Sequence, residues 1–386
     1  MSMSDRPIGL DIFRTALPMR SFEHAAASRE LAEAVVVRLR TVAGRVGWGE
    51  TLPREYVTGE TLESVPADIE AIFWPLLRDC RDDDQVLQAV ANLPCRDGGR
   101  VVTAARCAVE LAALQAFGLT WQTGDRAHDG QPTALRLSPV RVTGVLGSSD
   151  PRRTARKLRR MRWYGLRSFK LKLGLGEDVD RKNLDAVHKQ LARGLARGEC
   201  SLRVDVNGAW KYKDVAPRTA ELKAFGVLAV EQPCMVRPSQ MVDLAMACEL
   251  PLIADEACLT EADADVLLGA EGRIWLNLRI AKNGGLGPTL ALARKAAREE
   301  APYILGCMVG ESGILSTAQR VLLAAAPPPR MLEGNYGRFL LRDDLVHPSP
   351  RFGYGGRLML PATGRFEPAV RGDKVRRYGR VIKQLA

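Results

Sequence analysis

The sequence predicts an α/β protein built on a TIM-like (β/α)₈ barrel, with an α+β region before the barrel. Strand-like and helix-like segments alternate from residue 139 onward, and seven clear strands and one weak strand can be counted. Polar residues close successive strands at intervals of 26, 24 and 24 residues, from Asp205 to Glu231, Asp255 and Arg279. One strand, one helix and two loops need about this much chain. The spacing therefore predicts one functional group per unit at the end of the barrel where active sites form.

The first 135 residues combine strands and helices without regular alternation. Residues 6–52 alternate in strand fashion, and "AEAVVVRLRTVAGRVGWGE" predicts a hairpin with its turn near Ala43 and Gly44. The later segments "TLESVPADIEAIFWPLLRDC" and "VVTAARCAVELAALQAFGL" have helical periodicity. We therefore predict an N-terminal α+β domain over residues 1–135.

The barrel is predicted over residues 136–340. Its strands are expected at 139–146, 168–173, 201–206, 227–231, 252–255, 274–279, 303–308 and 330–333. Helices are expected at 150–163, 178–196, 214–225, 238–249, 261–269 and 287–299. The eighth strand is short because prolines prevent an earlier start. Residues 341–386 are typical of strands and turns, and we expect this segment to return to the N-terminal domain.

Composition excludes several classes of protein. No apolar run approaches the roughly 18 to 20 residues of a membrane helix, and the N-terminus has no apolar core of signal-peptide length. We therefore expect a soluble, cytoplasmic protein without a membrane partner. The eight cysteines form no CxxC pair, so a zinc or redox motif is not indicated and most are expected to be small buried side chains.

The net charge of +11 raises the question of nucleic acid, and its densest stretch is residues 151–172. No nucleic-acid module signature accompanies this charge. We interpret the stretch as a solvated barrel helix followed by a strand, and we expect no nucleic-acid partner. A basic entrance that attracts anionic substrates is compatible with this interpretation.

The strand-end residues predict a particular chemistry. Asp205, Glu231 and Asp255 would repel one another without a cation, and all-oxygen ligation suits Mg²⁺. Lys170 and Lys172 share a strand face, and two ammonium groups beside a divalent ion are expected to lower each other's pKa. One lysine could then act as a base that removes a proton next to a metal-bound carboxylate. A KxK motif on the solvent face of an edge strand is the alternative, and the three phased carboxylates argue against it.

The chain resembles the enolase superfamily, specifically its muconate lactonizing enzyme (muconate cycloisomerase) subgroup. The resemblance rests on Lys170-x-Lys172, "DVNGAW", "VEQP", "ADEA" and "KNGG", and in the N-terminal half on "VGWGE", "PREYVTGET" and "ARCAVELAALQAFG". It implies that residues 1–135 form a capping domain, that the barrel is catalytic and that the tail packs on the cap. It also implies a small carboxylate substrate and a homo-oligomer.

The resemblance further implies roles for individual residues. Lys172 matches the general base and Lys170 the lysine that tunes it. The residues matching the Mg²⁺ ligands are Asp205, Glu231 and Asp255. Asn207 matches a polar residue that braces the metal or the substrate, and Lys282 matches a lysine of the loop after the sixth strand. Glu256 is either a supporting residue or an ordinary strand-end charge.

Arg279 departs from the pattern of epimerases and cycloisomerases, which carry Asn-x-Lys where this chain has Asn277-x-Arg279. Arginine keeps its proton, so it is a poor base but a good fixed cation. A two-base epimerase is thereby weakened, whereas a cycloisomerase or lyase needs only Lys172 and a charge stabiliser. Arg279 could also fill its position without catalysing anything. We expect its guanidinium to face Lys172 across the site, paired with substrate or with a carboxylate such as Glu256.

Substrate contacts are predicted from the remaining motifs. Arg54 and Tyr56 of "PREYVTGET" are expected to line the pocket, together with Glu311 after strand seven and Glu333 after strand eight. Dipeptide epimerases carry Asp-x-Asp where this chain has Glu333 and Asn335. None of the four histidines ends a barrel strand, which disfavours mandelate racemase and sugar-acid dehydratase chemistry. His24, in a cap segment, could line the pocket or lie elsewhere. An amino-acid or dipeptide epimerase and a basic, non-catalytic binding protein remain alternatives.

Overall fold

The computed structural model describes residues 5–24, 27–118 and 140–386, with side chains described outside residues 21–29. Its first part is a cap of strands and short helices. The strands are β1 (Pro7–His24), β2 (Ala27–Thr41), β3 (Val46–Thr51), β4 (Arg96–Asp97) and β5 (Arg100–Val101). The helices are α1 (Glu55–Thr58), α2 (Ser64–Asp68), α3 (Trp74–Arg78), α4 (Asp83–Ala91) and α5 (Thr103–Ala116), and a π-helical turn at Ile69–Phe73 joins α2 to α3.

Helix α5 is buried on nearly all sides because it packs between strands β2 and β3 of the cap sheet and the helices α2, α4 and α11. The glycines of "VGWGE" permit this close packing. A Cβ at Gly49 would lie 1.8 Å from the carbonyl oxygen of Ala108, a distance that no side chain tolerates. The predicted hairpin turn near Ala43 and Gly44 is confirmed, since β2 and β3 pair antiparallel on either side of it.

The barrel strands form one parallel sheet in the order β14-β13-β12-β11-β10-β9-β8-β7. They are β7 (Gly144–Leu146), β8 (Ser168–Lys172), β9 (Ser201–Asp205), β10 (Val227–Glu231), β11 (Leu252–Ala254), β12 (Ile274–Leu278), β13 (Tyr303–Leu305) and β14 (Met331–Leu332), and β6 (Val140–Arg141) precedes them. The helices between them are α6 (Pro151–Trp163), α7 (Glu177–Ala196), α8 (Val215–Lys223), α9 (Pro238–Ala247), α10 (Glu261–Leu268), α11 (Leu286–Arg298) and α12 (Gly313–Ala325). A hydrogen bond from Thr143 N to Leu332 O (2.7 Å) brings the last strand back beside the first.

The tail returns to the cap. Strand β15 (Arg357–Leu358) pairs with β6, and after α13 (Gly372–Tyr378) strand β16 (Gly379–Leu385) pairs antiparallel with β1. The predicted fold class is therefore confirmed. Helix α12 was not among the predicted helices, although its polar residues Ser316, Thr317, Gln319 and Arg320 alternate with apolar ones at helical spacing. The predicted boundary between cap and barrel, at 135, falls outside the described residues.

The inward-facing side chains of the barrel form layers because side chains alternate along each strand. The deepest layer is an apolar cluster of Ala229, Ile253, Trp275, Ile304 and Met331. Two residues further along these strands come the polar residues Glu231, Asp255, Asn277 and Glu333. The site therefore rests on an apolar floor. No helix in the described ranges has both the length and the apolarity needed to cross a membrane.

Candidate active site

The predicted catalytic and metal-binding residues lie at the carboxyl ends of adjacent barrel strands. Lys172 is in register with Asp205, and Asp205 is in register with Glu231 on the next strand. Ile253 is in register with Glu231, so Asp255 lies two residues beyond that pair. Parallel strands present these ends on one face of the barrel, and the sequence spacing is the consequence of that geometry.

Lys172 is held by two oxygens. Its Nζ donates to Asp205 Oδ2 at 2.6 Å and to Asn207 Oδ1 at 2.7 Å. Asn207 adopts a left-handed backbone conformation (φ 49°), and its own N–H donates to Asp205 Oδ1 at 3.0 Å. Asp205 and Asn207 therefore fix the direction of the Lys172 side chain, which reaches the wall of the central cavity.

Lys170 lies deeper and has three carboxylate partners. Its Nζ is 3.1 Å from Asp205 Oδ2, 3.1 Å from Glu231 Oε1 and 2.7 Å from Glu333 Oε1. Burial alone would lower the pKa of Lys170, but these carboxylates outweigh it and raise the pKa above its usual value. Without a metal ion, these carboxylates therefore outweigh the effect of the neighbouring ammonium group, and the lowering of the pKa expected beside a divalent ion stays a prediction.

The three predicted metal ligands are fully buried. Burial would raise the pKa of Asp205, but Lys172 and Lys170 lower it well below its usual value. Burial and the nearby Asp205 raise the pKa of Glu231. Asn277 Nδ2 donates to Glu231 Oε1 at 2.8 Å, as the Asn207 N–H does to Asp205. Asp205 and Glu231 are therefore each contacted by a lysine and by an uncharged hydrogen-bond donor.

Arg279 and Lys282 hold Asp255 from two sides. Arg279 Nη2 donates to Asp255 Oδ2 and lies 3.8 Å from Glu231 Oε1. Lys282 Nζ donates to the Asp255 carbonyl oxygen at 2.6 Å, to Asp255 Oδ1 at 3.2 Å and to the Asn277 carbonyl oxygen at 2.7 Å. Burial lowers the pKa of Lys282 to about 8. We predicted that Arg279 pairs with substrate or with an interior carboxylate such as Glu256, and the interior carboxylate that it contacts is Asp255.

The three predicted metal ligands provide carboxylate oxygens, which are the ligands that Mg²⁺ prefers. Asp205, Glu231 and Asp255 are buried oxygen ligands whose oxygens converge on common cations: Lys170 bridges the first two, and Arg279 spans the last two. Within the described ranges, no three acidic, histidine or cysteine side chains are already grouped as a metal-binding cluster. Lysine and arginine nitrogens contact the carboxylate oxygens instead, and an entering ion would share or replace those contacts.

A cavity of about 640 Å³ opens above these residues. Six of the predicted site residues line it: Tyr56, Lys170, Lys172, Asn207, Arg279 and Glu333. Another part of the wall is aromatic, with contacts between the rings of Tyr164, Tyr336, Phe339 and Phe352. The cavity therefore offers a charged floor and an apolar side, an arrangement common in small-molecule sites.

Besides the three proposed metal ligands, three predicted site residues lie outside the cavity wall. Arg54 is buried, and its guanidinium donates to the carbonyl oxygens of Pro53 (2.8 Å) and Glu33 (3.2 Å), which ties the loop to β2. Glu311 Oε1 accepts from Met308 N at 2.6 Å, and burial raises the pKa of Glu311 to about 8. Lys282 is enclosed behind Asp255. In this structure these three support the residues that reach the cavity.

Arg203 is a central residue that the sequence reasoning missed. Its guanidinium is fully buried, pairs with Glu333 and lies 3.5 Å from Glu231 Oε2. Burial would raise the pKa of Glu333, but Lys170 and Arg203 lower it to about 2. The sequence position of Arg203 could have indicated this placement, because Arg203 precedes Asp205 by two residues and so shares its strand face.

The histidines lie away from this cluster where they are described. His188 Nδ1 is 3.0 Å from the carbonyl oxygen of Phe225, and His347 lies in the tail segment. The side chain of His24 and all of His128 lie outside the described part of the chain. All eight cysteines are free, and five of them are buried, in line with the expected role as small buried side chains.

Comparisons with known proteins agree with this geometry. The family model "Enolase C-terminal domain-like" matches residues 153–364, which is more than half of the chain. The chain is 28% identical to an L-Lys-D/L-Arg epimerase of Methylococcus capsulatus, over 92% of this chain and 99% of that protein. It is 27% identical to a chloromuconate cycloisomerase of Cupriavidus pinatubonensis, over 95% of this chain and 97% of that protein.

Similar solved structures cover nearly the whole chain. A dipeptide epimerase from Cytophaga hutchinsonii, solved with Mg and the dipeptide D-Ala-L-Val, superposes with a TM-score of 0.81 at 17% identity, over 98% of this chain and 99% of that one. At that identity the likeness shows the fold alone. The predicted homo-oligomer and cytoplasmic location stay predictions.

Proposed function

Because the chain belongs to the enolase superfamily, we propose that it is a Mg²⁺-dependent enzyme that removes the proton next to a substrate carboxylate. Lys172 is the proposed base. The observation that carries the proposal is the placement of Lys172 and Arg279 on the wall of one 640 Å³ cavity, above three buried carboxylates. A single base and a fixed cation therefore face the same space.

The proton transfer is assigned to Lys172 Nζ. Its present partners, Asp205 and Asn207, point it into the cavity, and it acts once it has lost its own proton. Asp205, Glu231 and Asp255 would hold Mg²⁺, and the bound ion would supply positive charge for the substrate carboxylate and for the negative charge that develops on it. Lys170 stays protonated beside these carboxylates and keeps their charge balanced.

Arg279 distinguishes this site from a two-base site. A guanidinium remains protonated throughout the physiological range, so Arg279 can donate hydrogen bonds to developing negative charge but does not return a proton to the second face. Its contact with Asp255 holds it in place. A one-base reaction follows, and cycloisomerisation or β-elimination is the proposed class.

The second candidate is an amino-acid or dipeptide epimerase. It is favoured by the L-Lys-D/L-Arg epimerase, which is 28% identical to this chain over 92% of its length. In that case a group other than the Arg279 guanidinium must carry a proton to the second face.

Proton exchange in heavy water tests both candidates. The purified protein with Mg²⁺ is incubated with both enantiomers of a library of carboxylates, and deuterium at the α-carbon is measured by NMR. Exchange or turnover without inversion supports the one-base proposal, and rapid interconversion of enantiomers supports the epimerase. Arg279→Lys is the matched variant, and it is expected to create exchange on the second face. If the wild type showed neither exchange nor turnover with any compound of the library, both candidates would be refuted and a non-catalytic binding protein would be favoured.

Asp205→Asn tests the metal site separately from turnover. The variant keeps the shape of the side chain but loses the charge, so calorimetric titration with Mg²⁺ should show at least tenfold weaker binding than the wild type. Equal affinities would show that Mg²⁺ binds elsewhere.

A further inference from the structure

The barrel has a seam between its first strand, β7, and its last strand, β14. These strands are the two ends of the hydrogen-bonded order of the sheet. Thr143, just before β7, bridges the seam: its N–H donates to Leu332 O at 2.7 Å, and its carbonyl oxygen accepts from Tyr336 Oη at 3.1 Å. Beyond this bridge, the 640 Å³ cavity is lined by Val145 of β7 and by Glu333 and Tyr336 of the chain after β14. The cavity therefore occupies the seam.

The chain between β14 and β15, every residue of which is described, does not form the helix that follows a strand in a regular barrel unit. It forms short 3₁₀ turns at Gly337–Phe339 and Tyr354–Gly356 instead. The rings of Phe339 and Phe352 lie here beside α6, stacked with their centroids 5.0 Å apart. Aromatic side chains therefore fill space that a helix would otherwise occupy.

The cavity continues past β7 to the outer face of the barrel. Gly144 and Val145 are neighbours in β7 and so face opposite sides of the strand, yet both line the cavity. Val145 is in register with Lys170, whose side chain lies inside the barrel. Gly144 faces outward, since a Cβ there would lie 2.8 Å from Met161 Sδ of α6. The cavity therefore extends from the charged floor to the layer between β7 and α6.

The outer part of the cavity is largely apolar and opens to solvent. We call it the outer subsite and define it by the lining residues Met161, Tyr164, Leu166, Phe339 and Phe352. The ring centroid of Tyr164 lies 5.5 Å from that of Phe339 and 6.1 Å from that of Phe352, so the three rings form one surface. Trp163 also lines the cavity and is 82% exposed, which places the outer opening at this side chain.

Resting on the proposed function, we propose that the outer subsite receives an unbranched apolar chain of the substrate, which leaves the barrel through the seam while the substrate carboxylate stays at the charged floor. Burial of the chain against the rings is favourable because it removes apolar surface from water. Lys157 and Arg160 also line the cavity from α6, and Arg160 is exposed, so its charged end stays in water beside such a chain. Gly144, Met161 and Trp163, which lie outside the barrel interior, then select the length of the chain.

Two acids with the same head group test the outer subsite. Racemic 2-hydroxypentanoate and 2-hydroxydecanoate differ by five methylenes, and each methylene that is moved from water into apolar surroundings strengthens binding roughly fourfold. Isothermal titration of the Mg²⁺-loaded protein should therefore show at least about tenfold tighter binding of the decanoate, which corresponds to full burial of fewer than two of these methylenes. Equal affinities, or no binding of either acid, would overturn the inference.

Two variants locate the preference for the longer acid. Gly144→Ala should reduce it by about threefold or more, because the new Cβ displaces Met161 Sδ into the passage, and the flexible methionine can move without loss of the fold. Trp163→Ala should also reduce it by about threefold or more, and removal of an 82% exposed side chain leaves the fold intact. Met359→Ala is the matched control, since Met359 is 62% exposed and does not line the cavity, and it should leave the preference unchanged. A preference that survives both Gly144→Ala and Trp163→Ala would overturn the inference.

Deuterium exchange on the same two acids separates the outer subsite from the proposed function. Tighter binding of the decanoate that is lost in the two variants, with no α-proton exchange in either acid or in any carboxylate of the library, would refute the proposed function and support the outer subsite. Exchange of the α-proton with equal KM for both acids would support the proposed function and overturn the outer subsite.

Discussion

Replacing Glu110 with alanine tests how the cap is joined to the barrel loop that follows Arg279. Glu110 lies on α5, and its carboxylate pairs with Arg106 (3.0 Å, i,i+4). It also accepts from the backbone N–H groups of Leu286 and Gly287, at the start of α11. One buried carboxylate thus neutralises an arginine of the cap and caps a helix of the barrel.

The expected loss of stability in Glu110→Ala follows from the burial of the ion pair. The side chains of Arg106 and Glu110 are 3% and 4% exposed. Removing one partner of such a pair typically costs about 3–5 kcal/mol, because the other charge stays buried without it. For a chain of 386 residues the unfolding entropy is about 0.8 kcal/mol per kelvin, so Glu110→Ala should lower Tm by about 4–6 °C.

Differential scanning calorimetry provides the measurement. Asp185→Ala is the matched control, since it breaks another i,i+4 arginine–carboxylate pair, Arg181–Asp185, whose side chains are 60% and 59% exposed. That change should move Tm by less than about 1 °C, since exposed pairs contribute roughly 0–1 kcal/mol. If the Glu110→Ala and Asp185→Ala proteins had the same Tm, the larger cost assigned to the buried ion pair would be refuted.

Three further predictions concern the base, its support and pH. Lys172→Ala should lower α-proton exchange by about 10²–10⁴-fold, because general-base catalysis contributes that much; exchange at the wild-type rate would exclude Lys172 as the base. Gly147→Ala should lower kcat about tenfold or more, since the new Cβ would lie 2.7 Å from the Lys172 Cβ and displace the side chain; steady-state kinetics equal to wild type would contradict this. Burial raises the pKa of Glu50 to about 7, so the folded state keeps this proton to a higher pH than the unfolded chain does. Stability should therefore fall as pH rises from about 4.5 to 7, by on the order of 3 kcal/mol for this group, and Glu50→Gln should remove that part of the slope. Urea titrations across this pH range measure it, and equal slopes in the two proteins would argue against it.

The barrel was predictable because its signals are local. The strand predicted at 227–231 is observed as Val227–Glu231, and the strand predicted at 201–206 as Ser201–Asp205. Each is a short apolar run that ends in a carboxylate, and the intervening helices have polar faces. Helix α12 has the same contrast between apolar and polar residues, so its absence from the predicted helices was an oversight and not a lack of signal.

The positions of the site residues were also predictable, but their partners were not. Spacing alone brings Asp205, Glu231 and Asp255 to one end of the barrel. Which carboxylate Arg279 contacts depends on the three-dimensional arrangement of the segments after β11 and β12, and the structure pairs it with Asp255 instead of Glu256. The raised pKa of Lys170 depends on Glu333, which arrives from the eighth strand. Such contacts join distant parts of the chain and leave no local pattern.

The apolar floor beneath the charged residues affects how such a barrel can change over evolutionary time. Ala229, Ile253, Trp275, Ile304 and Met331 pack below the reacting groups and contribute no titratable atom to them. Position 279 lies above this floor, beside the cavity, where Arg279 pairs with Asp255 and where lysine would supply another cation for that carboxylate. Their codons are neighbours, so a lineage could exchange a proton-carrying residue for a fixed cation, or reverse the exchange, while the packed interior stays unaltered. The chemistry of the barrel can therefore drift faster than its architecture.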